Sequence, residues 1–299
     1  MKYLILGIGI MALSVSVYFL SPALVSHKNT TQAALASPKQ ADKQASETVR
    51  FVTFGDFGTG AQTQYAVANA IQKKCQTSGC DFALTLGDNI YNNGVKSVSD
   101  PQFQDKFEKP YAGLNFPFYM ILGNHDYRGN VQAQLDYSQH SKKWTLPARY
   151  YSFDQGPATF LALDTNQANE QQLAELLKVS KQSTRPWKIL FGHHPRYTNS
   201  GYKNTQSPAL KKLIDGFCGQ AQIYLSGHEH DKQHLKPVCG MEHLIVGTGA
   251  GQRQVGKGSN TLFAGNDFGF AWVSVSPQKL HFELINAKGQ LEYQHDIKP

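Results

Sequence analysis

The four cysteines of this 299-residue chain include no Cys-x2-Cys pair, which sets aside a thiolate zinc site of the usual spacing. No run of basic residues interleaved with aromatics occurs, so nucleic-acid binding has no footprint. No internal repeat is visible, which argues against a repeat architecture. Charged residues are only 17% and hydrophobic residues 40%, ordinary proportions for a globular chain, so disorder is not the default. The length suits one large domain or two small ones. A formal charge of +7 includes +3 from residues 1–50; the remaining 24 basic and 20 acidic residues leave +4. That mild excess fits an anionic substrate but does not require one.

What is present begins at the N-terminus. Lys2 precedes the uncharged apolar stretch Leu4–Leu20, followed by Ser21-Pro22-Ala23. Its length falls between a signal-peptide core of about 7–15 residues and a spanning helix of about 20. Residues 1–26 are therefore expected to be a signal peptide or signal anchor, with export to the periplasm or the exterior. Residues 27–49, rich in Ala, Ser, Thr, Gln and Lys without apolar periodicity, read as a flexible linker that carries the sequon Asn29-Thr30-Thr31. An even number of cysteines agrees with an oxidising compartment, and of three connectivities we expect Cys75–Cys80 with Cys218–Cys239.

From residue 50 to 299 the pattern is that of one folded domain. Short apolar runs bounded by Gly, Asp, Asn or His read as buried strands: Phe51–Phe54, Phe82–Leu86, Phe118–Leu122, Thr159–Leu163, Trp187–Phe191, Gln222–Leu225 and Leu244–Val246. Helices are expected over Ala61–Lys74, Asn169–Lys181 and Pro208–Phe217, the last with Ser207 as N-cap. This alternation implies an α/β fold with right-handed crossovers. Phe270–Ser276 and Lys279–Asn286 alternate apolar and polar residues, as a hairpin forming an antiparallel sheet edge would.

Five times a strand-like run ends in possible metal ligands: at Asp56, at Asp88 with Tyr91, at Asn124-His125-Asp126, at His193-His194 and at His228-Glu229-His230. In open α/β sheets the carboxyl ends of strands line one crevice, so the clusters should converge. A Gly precedes each, permitting a sharp turn or close backbone approach. A lone Gly-Asp is usually a turn, and a lone His-x-His is often unrelated to metals. Five in order at strand ends are hard to assign to chance. Oxygen donors with imidazoles and no thiolate suit iron, zinc or manganese. Seven ligands exceed the needs of one ion but suit two that share a carboxylate, the arrangement that drives in-line displacement at phosphorus.

The stretches Gly55-Asp56-Phe57-Gly58, Gly87-Asp88-Asn89-Ile90-Tyr91, Gly123-Asn124-His125-Asp126, Gly192-His193-His194-Pro195 and Gly227-His228-Glu229-His230 resemble the five motifs of the calcineurin-like metallophosphoesterases. Tyr91 narrows the resemblance to the purple acid phosphatases. Gly123–Gln134, continuing through Trp144 to Pro147–Tyr151, is similar to their tartrate-resistant members. The resemblance implies a four-layer α-β-β-α sandwich with the metal site at the carboxyl ends of the strands. It implies Fe(III) on Asp56, Asp88, Tyr91 and His230, and Fe(II), Zn(II) or Mn(II) on Asp88, Asn124, His193 and His228. Asn124, His125 and Tyr202 would face the substrate, with His125 catalytic as proton donor to the leaving group.

Tyr202 stands nine positions after His193, where the family has a second substrate-side histidine; this departure bears on the general acid. His194, Asp126 and Asp164 are expected to support the ligands, whereas His27, His140, His234, His243, His281 and His295 read as surface or packing residues. The implied activity is phosphate monoester hydrolysis on small-molecule or protein esters. Nucleic acid is no expected partner, and membrane contact would come only through an uncleaved N-terminus. The expected state is monomeric. The alternatives are a two-metal phosphodiesterase acting on nucleotides or phospholipid head groups, and a non-catalytic phosphate-binding protein on the same sheet.

Overall fold

In the computed structural model residues 47–299 are described; the expected leader, nearly all of the linker and the Asn29 sequon lie outside them. The elements in chain order are β1 (Val49–Phe54), α1 (Gln62–Ser78), β2 (Phe82–Thr85), β3 (Phe118–Tyr119), α2 (Val131–Asp136), β4 (Trp144–Thr145), β5 (Tyr151–Gln155), β6 (Ala158–Ala162), α3 (Glu170–Gln182), β7 (Trp187–Gly192), α4 (Pro208–Asp215), β8 (Ile223–Ser226), β9 (Lys232–Val238), β10 (Met241–Val246), β11 (Thr261–Gly265), β12 (Gly269–Ser276), β13 (Lys279–Asn286) and β14 (Leu291–Ile297).

They form two seven-stranded sheets, ordered β14-β13-β12-β1-β2-β3-β4 and β11-β9-β10-β8-β7-β6-β5. In the first sheet β1, β2, β3 and β4 run parallel, and β12, β13 and β14 join by antiparallel pairing. In the second β6, β7, β8 and β10 run parallel, and β5, β9 and β11 join by antiparallel pairing. Why the apolar runs are unbroken is visible in β6–β8. Phe160, Ile189, Phe191, Ile223 and Leu225 face the core between the sheets, while Leu161, Leu190 and Tyr224 face an outer cluster with Leu176 of α3 and Leu210 and Leu213 of α4. Successive side chains alternate between faces, and both faces are covered, so no polar alternation survives. The sheets interlock through aromatics: Phe160 meets Phe51 and Phe82 edge-on, with centroids at 5.5 and 5.4 Å. Val67 and Ile71 of α1 are fully buried on the first sheet. The result is the expected helix–sheet–sheet–helix sandwich.

Ser207 accepts from Leu210 N at 3.2 Å with Pro208 at the first turn of α4, as its sequence implied. Two strand assignments change. The β12–β13 hairpin forms but is not the edge, because β14 pairs along β13. The run Phe118–Leu122 is strand for only two residues, after which the chain turns toward the site. Both expected disulfides, Cys75–Cys80 and Cys218–Cys239, are present, in keeping with folding in an oxidising compartment. Among the described residues no helix is long and apolar enough to cross a membrane.

Candidate metal centre

Because the central strands are parallel within each sheet, the loops after β1, β2 and β3 meet those after β7 and β8. Tight approach is built into the glycines: a Cβ on Gly123 would lie 2.1 Å from Asp88 Oδ1, and one on Gly227 2.6 Å from Asp56 Oδ2. The ligand residues themselves carry the unusual backbone. Asp56, Asp88 and His228 have φ of 59°, 53° and 67°, a left-handed conformation that costs on the order of 1 kcal/mol each and recurs at functional sites.

All seven expected ligand side chains converge. On one side the Tyr91 hydroxyl lies 3.1 Å from Asp56 Oδ1 and 3.1 Å from His230 Nε2, which is 3.4 Å from Asp56 Oδ1. On the other, His193 Nε2 is 3.0 Å from Asn124 Oδ1 and 3.2 Å from His228 Nδ1. Asp88 stands between them: Oδ1 is 3.5 Å from His193 Nε2, and its charge bears on the Tyr91 hydroxyl. Backbone N–H groups aim both carboxylates, His228 N donating to Asp56 Oδ2 and His125 N to Asp88 Oδ1, each at 2.8 Å. His193 Nδ1 is 2.7 Å from Leu86 O. A carbonyl only accepts, so Nδ1 carries the proton and Nε2 presents its lone pair to the centre.

The electrostatics fit cations. Asp56 and Asp88 are 0% and 1% exposed, and no lysine or arginine pairs with either among the described residues. Such carboxylates are costly to bury without a positive partner. Burial disfavours protonation of His193, yet Asp88 and Asp56 outweigh it and raise its pKa. Burial, then the Asp56 and Asp88 charges, pushes the Tyr91 phenol far up. Burial, reinforced by His193, keeps His194 down at about 3 and His228 lower still, the neutral form that binds metal. Buried anions beside neutral imidazoles and a phenol form a donor set suited to two metal ions.

His125 Nδ1 lies 2.6 Å from Asn92 O and its ring packs on Tyr91, with centroids at 4.5 Å. Asp126 is wholly buried and accepts from Asn89 N, Ile90 N, Gly123 N and Gln134 Nε2, tying the Asp88 loop to the Asn124 loop. Asp164 accepts from the Tyr127 hydroxyl and from Asn166 N. His194 lies against the centre as expected of a supporting residue: Thr165 holds its Nδ1 at 2.9 Å, and its ring packs 4.4 Å from that of His228. Tyr202 stacks on His228 with centroids 4.1 Å apart.

The roles of two residues escaped sequence reasoning. Glu229, between two ligands but facing away from them, is fully buried and accepts from Tyr202 N at 2.8 Å and Thr198 Oγ1 at 2.9 Å, fixing the loop that carries Tyr202. Arg253 lies 5.3 Å over the Tyr202 ring and lines, with Tyr91, Lys106, His125 and His230, a cavity of about 450 Å³. The available signal was the glycine-rich segment after β10, a further parallel strand end: Ala250 N donates to Asp56 O and Arg253 N to His230 O.

A two-sheet sandwich carrying such a centre at its strand ends defines a metallophosphoesterase. Residues 49–232 match the calcineurin-like phosphoesterase family, and the chain belongs to it, in the purple acid phosphatase group and thus among the metal-dependent phosphoric monoester hydrolases. It is 31% identical to mouse tartrate-resistant acid phosphatase type 5 over 290 residues, covering 81% of this chain and 88% of that protein. The human counterpart is 30% identical, covering 86% and 93%, and purple acid phosphatase 7 of Arabidopsis thaliana 29%, covering 70% and 72%. Among solved structures, GAP50, described as the anchor in the inner membrane complex of Plasmodium, superposes with a TM-score of 0.75 at 24% identity over 84% of this chain and 89% of that one. Purple acid phosphatase PPD1 from yellow lupin (Lupinus luteus) seeds gives 0.68 at 20% identity, covering 85% and 54%. Both likenesses speak for the fold.

Proposed function

We propose that the chain hydrolyses phosphate monoesters, of small molecules or proteins, through a heterovalent pair of metal ions. In this reading Asp56, Asp88, Tyr91 and His230 hold Fe(III), while Asp88, Asn124, His193 and His228 hold Fe(II), Zn(II) or Mn(II). The position of Asp88 between two groups of donors carries the reading: the Asp56 carboxylate and the Tyr91 phenol stand with His230 on one side of it, and an amide and two imidazoles, Asn124, His193 and His228, on the other. When bound, the ions supply Lewis acidity and an acidified water as the attacking nucleophile.

The chain's own groups do the rest. Leu86 O orients His193, and Asp126 braces the loops that present Asp88 and Asn124. With Asn92 O occupying Nδ1 of His125, Nε2 is the atom from which the leaving-group oxygen takes its proton. Asn124 and Tyr202 flank the ester, Tyr202 as a wall stacked on His228. Arg253, with no carboxylate partner among the described residues, directs its guanidinium toward phosphoryl oxygens in the cleft. We place the enzyme outside the cytoplasm, periplasmic or secreted, or tethered where its N-terminal segment is retained, and active as a monomer.

Metal analysis of the purified protein, combined with its visible spectrum, tests the assignment. One iron and one further ion per chain are expected, with a visible band that Tyr91→Phe abolishes. A colourless, fully active protein holding two zinc or two manganese ions would refute the ferric site. Faster turnover of a diester than of the monoester of one chromophore would overturn the monoesterase reading, and Asp88→Asn with unchanged turnover would overturn catalysis at this centre.

A further inference from the structure

We propose that the edge of the sandwich away from the catalytic centre carries a separate site for a divalent transition metal, zinc being the natural occupant, formed by His234, Glu242 and His295. The three residues come from β9, β10 and β14, hence from both sheets. One donor atom from each lies within 4.8 Å of the others. His234 is entirely buried; its Nε2 is 3.0 Å from Glu242 Oε2, and its ring centroid is 4.7 Å from that of His295.

The chemistry around the cluster distinguishes it from a chance gathering. His234 Nδ1 is 3.0 Å from the Tyr293 hydroxyl. A metal on Nε2 requires the tautomer in which Nδ1–H donates to the Tyr293 hydroxyl, which stands where it can accept; in the other tautomer the Tyr293 hydroxyl donates to Nδ1 and Nε2–H donates to Glu242. An outer hydrogen bond from Nδ1 is the kind that fixes the tautomer of a metal-bound imidazole.

Glu242 has no lysine or arginine partner among the described residues; the nearby buried Lys232 is already paired with Glu292. His295, partly buried, makes no hydrogen bond through its ring among the described residues. Burial, then the His234 charge, holds its pKa below the ordinary imidazole range, in the form that binds metal. Glu242 also sits where the β9–β10 register shifts between Met241 and His243, and such irregularities re-aim side chains.

Two imidazoles and one carboxylate, with a water as the fourth ligand, would match a four-coordinate zinc site with three protein ligands, and disfavour calcium or magnesium. An ion here would tie β14, the outer strand of the first sheet, to β9 and β10 of the second. The proposal does not depend on phosphatase activity.

The test loads untagged protein with its full catalytic metal complement, equilibrates it with zinc chloride, and counts metal after gel filtration. One zinc per chain beyond the catalytic pair is expected, with a higher thermal midpoint. Glu242→Gln and His295→Ala, both partly exposed positions that should fold, are expected to lose that equivalent and the thermal gain while keeping phosphatase activity. If the wild type retains no third equivalent, or if both variants retain it, the site does not exist and a proton joins His234 to Glu242.

Discussion

Replacing Asp126 by Asn tests whether the metal centre is held from behind. The carboxylate accepts from Asn89 N at 3.1 Å, Ile90 N at 3.1 Å, Gly123 N at 2.8 Å and Gln134 Nε2 at 3.0 Å. Oδ1 takes Asn89 N, Ile90 N and Gln134 Nε2 while Oδ2 takes Gly123 N, so an amide with its single acceptor oxygen leaves at least one buried donor facing an NH2 group. At about 1.5–3 kcal/mol for a hydrogen bond to a charged group, Asp126→Asn should lower stability by at least that amount. Burial and the Asp88 charge push the Asp126 pKa up to about 7, while the backbone donors pull it down. Every group facing the side chain is a donor, so the ionised form is the one its surroundings complete.

Urea unfolding at pH 7.5 with excess metal reads the stability loss. Metal content after gel filtration reads the second consequence, a metal affinity about 10–100-fold weaker, as when groups behind metal ligands are lost. Excess divalent metal should restore part of the activity. A variant within about 1 kcal/mol of wild type that retains its metals would refute the argument.

Three further outcomes follow from the same structure. Arg253→Ala should lower kcat/KM by about tenfold or more, mainly through KM, for loss of a charged hydrogen bond of about 1.5–3 kcal/mol; unchanged kinetics on monoesters would remove Arg253 from the cleft's function. Burial, then the Arg196 charge, holds His243 at about 4, and neither ring nitrogen has a hydrogen-bond partner. Its folded-state pKa lies below the unfolded value of about 6.5, so the unfolded chain takes up the proton first and stability declines as pH falls from about 6.5 to about 4. His243→Phe should shrink the difference in unfolding free energy between pH 7 and pH 4.5 by about 2–3 kcal/mol; an unaltered pH slope would contradict the assignment.

Much of the centre was legible because ligand chemistry and strand ends coincide along the chain. Gly-Asp, Gly-Asn-His and Gly-His-x-His after apolar runs name their own residues, and all seven side chains meet. The strands that went unread are those whose sequence hides their burial. Lys232, Gln233 and His234 of β9 are 0% exposed yet polar, because Glu292, Asp231 and Glu242 satisfy them. Leu291–Ile297, half exposed and largely polar, gains its strand partner only from β13. Arg253 was signalled only by the glycine-rich segment around it, and the pairing of β10 with β8 carries that loop to the cleft.

The order and identity of the candidate metal donors were legible in the sequence itself, since they depend on residue types at short spacing after apolar runs; the sandwich class was implied by the resemblance of those motifs, and both disulfides match the pairing expected among three connectivities. The division of those donors around Asp88 was implied only by the family resemblance; the distances between loops from different sheets, which the tertiary structure supplies, show the two groups standing apart. Tertiary structure alone decided that Tyr202 stacks on His228, that Glu229 turns away to hold the Tyr202 loop, and that Arg253 enters the cleft. These contacts join residues about 25 to 50 positions apart, beyond the reach of any local pattern.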